Sequence, residues 1–338
     1  MDALTTIGLD LAKNVFQVHG IAADGTVLIR RQLRRGEVLK FFASVPACLV
    51  GMEACATAHY WAREIAALGH TVKLMPPAYV KPYVKRGKTD AADAEAICEA
   101  VTRPTMRFVA VKTIDQQAAL MLHKTRDLLV RQRTMLVNGL RGHLGEFGII
   151  AAKGPGGVTA VIEALHAAQD RLPELARLAL HGIVEQLRQL GTEIAQLEER
   201  ILAWHRASEV SRRLATIPGI GPITASAIAA AVPDATLFRS GRQFAAWLGL
   251  TPKAHSSGGK ERQVGISKQG DGYLRRLLVV GATAVMRFAR QDNASRSWAT
   301  KLLERKPAKL AAVALANKTA RIAWVVMTRG ESYAAPAA

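Results

Sequence analysis

The stretch that decides the fold runs from Thr5 to Leu33, TTIGLDLAKNVFQVHGIAADGTVLIRRQL. It reads as three short strands rich in β-branched and apolar residues. The turn AADGT, with its Asp-Gly pair, joins the second strand to the third. Outward from this opening, a helix over about Glu37 to Ser44 leads to a buried strand, CLVGMEA. A helix over about His59 to Leu68 and a strand, TVKLM, follow. A β-rich start followed by alternating α and β predicts an α/β domain ending near residue 105.

Beyond it the pattern turns helical. From Asp115 to about Gly145 strong helix formers alternate with basic residues, and Leu122, Leu129 and Leu136 fall seven apart. A second run keeps 4-3 spacing through Leu190, Ile194, Leu197, Ile201 and Trp204, with the glycine-rich AAKGPGG lying between the two. This predicts a helical, coiled-coil-like arm of antiparallel helices over 106–208, serving either oligomerisation or packing within one subunit. Further helices are expected over Ser211 to Ala231, Gly241 to Leu248, Gly272 to Arg290 and Ala308 to Thr328. The polar, basic Thr251 to Gly270 should be a loop or ribbon facing a ligand.

Charge narrows the partners. The net charge is +19, and residues 206–338 carry 21 basic against 7 acidic side chains, so +14 of it lies there. Such a field attracts polyanions, and nucleic acid is the expected partner. No uninterrupted apolar run exceeds about ten residues, too short to span a bilayer, and no secretory signal opens the chain, so no membrane association and a cytoplasmic location are expected. Cys48, Cys55 and Cys98 make no CxxC pair and the nine histidines show no zinc spacing.

The acidic residues of the first domain are few and oddly placed. Asp10 lies in the first strand and Glu53 near the end of another, where a lone charge is costly. Asp90 and Asp93, in KTDAADAEAI, stand three apart at a helix start and share one face. Singly, each fits a plain structural role, Asp90 and Asp93 favouring a helix N-terminus beside Thr89 and Asp10 ending a strand. Together they fit a magnesium or manganese site of hard oxygen ligands, suited to phosphoryl transfer.

Two further motifs bear on nucleic acid. RLATIPGIGPITASAIAAAV reads as helix, tight turn, helix, resembling a helix-hairpin-helix, with Gly219 and Gly221 freeing the turn and exposing amides that bind phosphate; a packing corner is the alternative. In HSSGGKERQVGISKQG a serine beside two glycines has room for a phosphate. Lys260, Arg262 and Lys268 add positive charge, as do Arg275 and Arg276 downstream. A simple flexible loop would read the same way.

Taken together, GLDLAKN, GMEA, KTDAADAEAI, IPGIGPITA and FAAWLGLTPKAHSSGGKERQVGISKQGDGYLRRLLV resemble the DEDD transposases of the IS110 family of bacterial insertion sequences, closest to its IS1111 group. The resemblance implies a RuvC-like, RNase H-type domain over 1–105. It implies a mainly α C-terminal transposase domain with the helix-hairpin-helix-like motif over 209–330, before a tail at 331–338. It makes Asp10, Glu53, Asp90 and Asp93 the DEDD carboxylates and a serine of HSSGG the nucleophile: Ser257 by choice, Ser256 as the alternative. It further implies donor and target DNA as substrates, a bridge-type non-coding RNA as guide, and a homo-oligomer, dimer or tetramer. A water-using nuclease of the Holliday-junction-resolvase type and a non-enzymatic DNA-binding protein are the rival readings.

Overall fold

The computed structural model describes residues 3–85, 87, 89–151, 156–257, 260–289 and 298–334, with the backbone alone for 254–257, 260–264, 288, 289 and 299. The chain forms two compact units, 1–113 with 232–237, and 114–231 with 238–338.

In the first unit, β1 (Leu4–Asp10), β2 (Val15–Ala22) and β3 (Val27–Arg34) form an antiparallel meander. The turn between β2 and β3 is held by Asp24, whose carboxylate accepts from the Thr26 amide at 2.8 Å, with Gly25 at φ +90°. Then α1 (Val38–Ser44), β4 (Leu49–Glu53), α2 (Ala58–Ala67), β5 (Thr71–Met75), the short α3 (Pro77–Val80) and α4 (Asp90–Val101) complete the unit. Strand order is β3-β2-β1-β4-β5, with β4 parallel to both β1 and β5.

Because successive side chains on a strand alternate, the sheet has two distinct faces. One carries Ile7, Leu9, Phe16, Val18, Val50, Met52 and Leu74 and is sealed by Phe41 and Phe42 of α1 and Trp61 and Ile65 of α2. His70 pins this side: its Nε2–H donates to Phe42 O at 2.9 Å and Nδ1 accepts from the Cys48 amide at 3.2 Å. The other face carries Thr6, Gly8 and Asp10 of β1 and Gly51 and Glu53 of β4, and α4 lies on it. The cysteines are free, Cys48 and Cys98 buried and Cys55 exposed.

The second unit is built on two long helices, α5 (Ile114–Glu146, 33 residues) and α7 (Glu174–Ala207, 34 residues), which pack on each other. Between them the structure adds α6 (Gly157–Ala167), where only the glycine-rich loop was expected; Val161 and Leu165 bury themselves among Val137, Leu140, Leu144, Leu180 and Val184. Leu122, Leu129 and Leu136 are half-buried. One position earlier, a second heptad series, Ile114, Met121, Leu128 and Met135, is 47–70% exposed.

After α8 (Glu209–Leu214), α9 (Pro222–Ala231) and α10 (Gly241–Trp247), the antiparallel ribbon β6 (Pro252–Ser257) and β7 (Lys260–Ile266) occupies the expected ligand-facing stretch. The helices α11 (Gly272–Ala289), α12 (Trp298–Leu303) and α13 (Ala308–Arg329) close the unit.

A buried hydrogen-bond chain ties α5 to α9 and α11. The Ser226 hydroxyl donates to Pro222 O at 2.7 Å, which leaves its oxygen to accept from His123 Nε2–H at 3.1 Å. His123 Nδ1 then accepts from the Tyr273 hydroxyl at 3.1 Å. Around it, Arg126 of α5 pairs with Glu198 of α7 and Asp127 of α5 with Arg276 of α11.

Candidate functional site

The carboxylates come from three elements that the sheet brings together. Asp10 is the last residue of β1 and Glu53 the last of the neighbouring parallel strand β4, so both leave the sheet at the same end. Two residues before each acid, on the same face, stands a glycine, Gly8 and Gly51, and the two are partners across the β1–β4 ladder. That bare patch is where α4 rests. A Cβ on Gly8 would lie 2.2 Å from Ala94 O and 2.5 Å from Cys98 N, and one on Gly51 would lie 2.7 Å from Val101 Cβ. The close approach of helix to sheet is therefore possible only with glycine at these positions.

The helix then delivers its own acids. Thr89 caps α4, its side-chain oxygen accepting from the Ala92 amide at 3.2 Å, and Asp90 and Asp93 occupy the first turn on one face. One ligand atom each from Asp10, Asp90 and Asp93 lies within 4.8 Å of the others. Glu53 feels the same cluster: burial, then the charges of Asp10 and Asp93, push its carboxyl above the usual range. His19, opposite Gly8 on β2, offers little compensation, because burial first and the charges of Arg30 and Lys85 hold it below its ordinary value. Crowded carboxylates repel, and a divalent cation bound by hard oxygen donors removes that cost. The donor set therefore fits a divalent metal of the magnesium or manganese type.

The second unit carries the remaining predicted positions. Gly219 has φ +86° and faces α11, where a Cβ would meet Gly281 O at 3.1 Å, so this turn residue packs closely against that helix. Around Gly221 a Cβ would meet nothing within 4 Å. The backbones of Ser256 and Ser257 pair with Glu261 and Lys260 on the ribbon, and Arg262 pairs with His255. The side chains of Ser256, Ser257, Lys260 and Arg262 lie outside the described residues. Lys268 is exposed, at φ +56° in the turn after the ribbon. Arg275 is engaged inside the unit, donating to Leu248 O at 2.9 Å and Gln269 O at 2.8 Å. Arg276 pairs with Asp127 and stands 5.4 Å over the Tyr273 ring.

Comparison with known proteins falls on the same segments. Residues 7–149, which contain all four acids, match a DEDD transposase domain of the IS110 family, and residues 211–297 match the family described as "Transposase IS116/IS110/IS902 family". The transposase for insertion sequence element IS1328 of Yersinia enterocolitica is 44% identical, over 98% of this chain and 98% of the relative. The chain belongs to the IS110 family of transposases. The transposase for insertion sequence element IS1111A of Coxiella burnetii is 40% identical, over 98% of this chain and 92% of that relative. A Pseudomonas aeruginosa relative whose name places it among family 20 transposases is 52% identical, over 98% of both chains.

As a member, this transposase is an enzyme of DNA strand cleavage and transfer, and its DEDD domain implies a RuvC-like fold, with which the mixed five-stranded sheet and its flanking helices agree. The paired glycines were missed as functional positions in reading the sequence. Their signal was present in GLD and GME, a glycine two residues ahead of a strand-end acid in both motifs.

Proposed function

We propose that this transposase cuts and rejoins DNA by a serine-linked mechanism, with Asp10, Glu53, Asp90 and Asp93 holding magnesium or manganese and Ser257 as nucleophile. The observation that carries the reading is the convergence of Asp10, Asp90 and Asp93 within 4.8 Å, beside a Glu53 whose ionisation is opposed by burial and then by the charges of Asp10 and Asp93. What a bound divalent cation would supply is electrostatic stabilisation of the phosphoryl transfer.

The chain's own residues do the rest. The four carboxylates hold the cation at the end of the sheet, and α4, seated on Gly8 and Gly51, fixes two of them. The Ser257 Oγ forms a bond to the scissile phosphorus and loses its proton to solvent, while the bond to one bridging DNA oxygen breaks and that oxygen takes up a proton. The resulting serine phosphodiester conserves the bond, and attack by an incoming DNA hydroxyl releases the serine again. Donor and target DNA are the substrates. The family resemblance carries the reading of an additional nucleic acid, a bridge-type RNA that reads sequence by pairing while the protein holds backbone, and the +14 balance of residues 206–338 is compatible with holding both DNA and RNA. The exposed series Ile114, Met121, Leu128 and Met135 supports assembly through the arm as a homo-oligomer.

Adduct trapping tests the mechanism. Wild-type protein should give a protein–DNA species that survives denaturing gels, with the adduct on the peptide carrying Ser257. Ser256→Ala should keep it and Ser257→Ala should lose it. Free DNA ends from the wild type without any adduct would replace the serine with water. RNase treatment should abolish recombination at the specific site while leaving salt-sensitive, non-specific DNA binding.

A further inference from the structure

Within the second unit, a groove of about 1260 Å³ runs along one face of α13. The start of α10 and the C-terminal segment around Tyr333 also line it, as do Pro252 and Ile266, paired at the root of the ribbon. Two contacts set its form. Gly241 lets α10 approach the α13 backbone, since a Cβ there would lie 3.0 Å from Arg321 O, and Asn317 donates to Leu250 O at 3.2 Å, holding the turn that leads into β6.

The lining is of two kinds. Trp298, Leu310 and Val325 are 37–54% exposed, an apolar surface left open to water. Arg242, Lys318, Arg321 and Arg329 are all exposed, and none of them makes an ion pair among the described residues. Glu331 is the one acid among the described residues of the lining. The Lys318 ammonium lies 4.9 Å from the Trp298 ring centre on one side, while the indole stays 43% exposed.

Charge decides between occupants. A second copy of a chain with a net charge of +19 would bring like charge toward four cations that make no ion pair among the described residues. A lipid bilayer would meet the same cations across the face of α13, which is long and apolar enough to cross a membrane but is packed here against α10 and α11. A nucleic-acid duplex would satisfy the cations and leave the apolar floor unused, because its base faces are stacked inside. An unpaired strand satisfies both, with phosphates on the cations and base faces on indole and aliphatic surface.

We propose that the α13 groove seats an unpaired nucleic-acid strand, held by Arg242, Lys318, Arg321 and Arg329 with bases against Trp298. Groove and ribbon are continuous through Pro252 and Ile266, and from Pro252 the β6 strand rises about 3.3 Å per residue toward Ser257. A strand leaving the groove is thus led along the ribbon. The role of that strand in recombination rests on the function proposed above; its binding does not.

The test is fluorescence anisotropy with a labelled oligothymidylate and, separately, an oligouridylate, on the full-length protein in EDTA over a range of salt. Lys318→Ala with Arg321→Ala should weaken binding at least tenfold and flatten the log–log salt slope by about 1.4, at about 0.7 per phosphate contact on a single strand. Trp298→Ala should weaken binding by about tenfold without changing that slope. A preference for one oligomer identifies the strand as DNA or RNA. Melting curves on each variant confirm folding.

Wild-type affinity and slope in both variants would overturn the proposal. So would a change in molecular mass by light scattering with unchanged oligomer binding, which would make the groove a contact between copies. Asp93→Asn, assayed alongside, separates the two readings: it should lose cleavage and bind both oligomers as the wild type does. Cleavage that survives in Asp93→Asn would sink the metal mechanism and leave the groove standing.

Discussion

Gly8 and Gly51 face each other across the β1–β4 ladder, and the absence of a side chain on both is what lets α4 lie against the strands that end in Asp10 and Glu53. Neither residue carries a reactive group, yet both set the distance between the strand-borne and the helix-borne acids. Gly8→Ala would force its Cβ to within 2.2 Å of Ala94 O, a backbone atom that cannot rotate away. The helix must move, carrying Asp90 and Asp93 with it. Gly8→Ala is expected to cost about 1–3 kcal/mol of stability, as overpacking does, and to weaken manganese binding measured by calorimetry. Gly36→Ala, where a Cβ meets nothing within 4 Å, is the control that should change neither.

Removing one carboxylate charge should separate chemistry from binding. Asp93→Asn keeps the shape of the first turn of α4 and its Thr89 cap but withdraws one anionic ligand from the cluster. Metal-dependent strand cleavage should fall by at least about two orders of magnitude, the scale of losing one electrostatic group at a reaction centre. Binding to duplex DNA in a gel-shift assay should hold. Wild-type cleavage that persists in excess EDTA would contradict the metal site itself.

Much of the first unit was legible because its strands obey a simple rule. Ile7, Leu9, Phe16 and Val18 face one core, and the charges at the strand ends, Asp10 and Glu53, stand on the opposite face, where the carboxylate site is proposed. The ribbon was legible for the opposite reason, as a polar, basic interruption between helices. What failed to show was whatever depends on a partner distant in sequence. Val161 and Leu165 of α6 find their core only on α5 and α7, so the GPGG ahead of them dominated the local pattern. Arg275 looks from its neighbours like any cation of a nucleic-acid face, and the sequence does not show that its Nη1 donates to Leu248 O and Gln269 O within the unit. The exposed heptad on α5 begins one residue before the leucines that sequence spacing singled out, because the leucine stripe turns half inward toward other helices of the unit.

His123 should make the second unit acid-sensitive. Burial, aided by the charge of Arg126, lowers its pKa from 6.5 to about 4. Its neighbours are the Tyr273 and Ser226 hydroxyls, with Asp127 and Arg276 beyond them. Since the folded pKa lies below the unfolded one, the unfolded chain binds more protons between the two values. Stability from this group is complete above about pH 6.5 and is lost as pH falls toward about 4, by about 3 kcal/mol in total. Urea midpoints of wild type and His123→Gln should therefore differ at pH 7 and converge on acidification through that window. A gap independent of pH would exclude His123 as the titrating group.

The arm offers the last prediction. Ile114, Met121, Leu128 and Met135 recur every seven residues, so they form one stripe along α5, and they are 47–70% exposed while other faces of the helix pack on α6, α7 and α9. A side chain of this size stabilises by about 1.5–3 kcal/mol when all of its surface leaves water, and these four, 47–70% exposed, keep roughly half of that to gain in a contact between two arms. The acidic variant Met121→Glu with Met135→Glu should lower the mass seen by light scattering at equal concentration. It should leave the melting temperature of the dissociated chain intact, because neither methionine supports the core of its own unit. Cleavage of one DNA strand at a time should persist, while joining of donor to target, for which the proposed assembly brings several active centres together, should fail. If the mass stays that of the wild type, the stripe is not the contact between subunits.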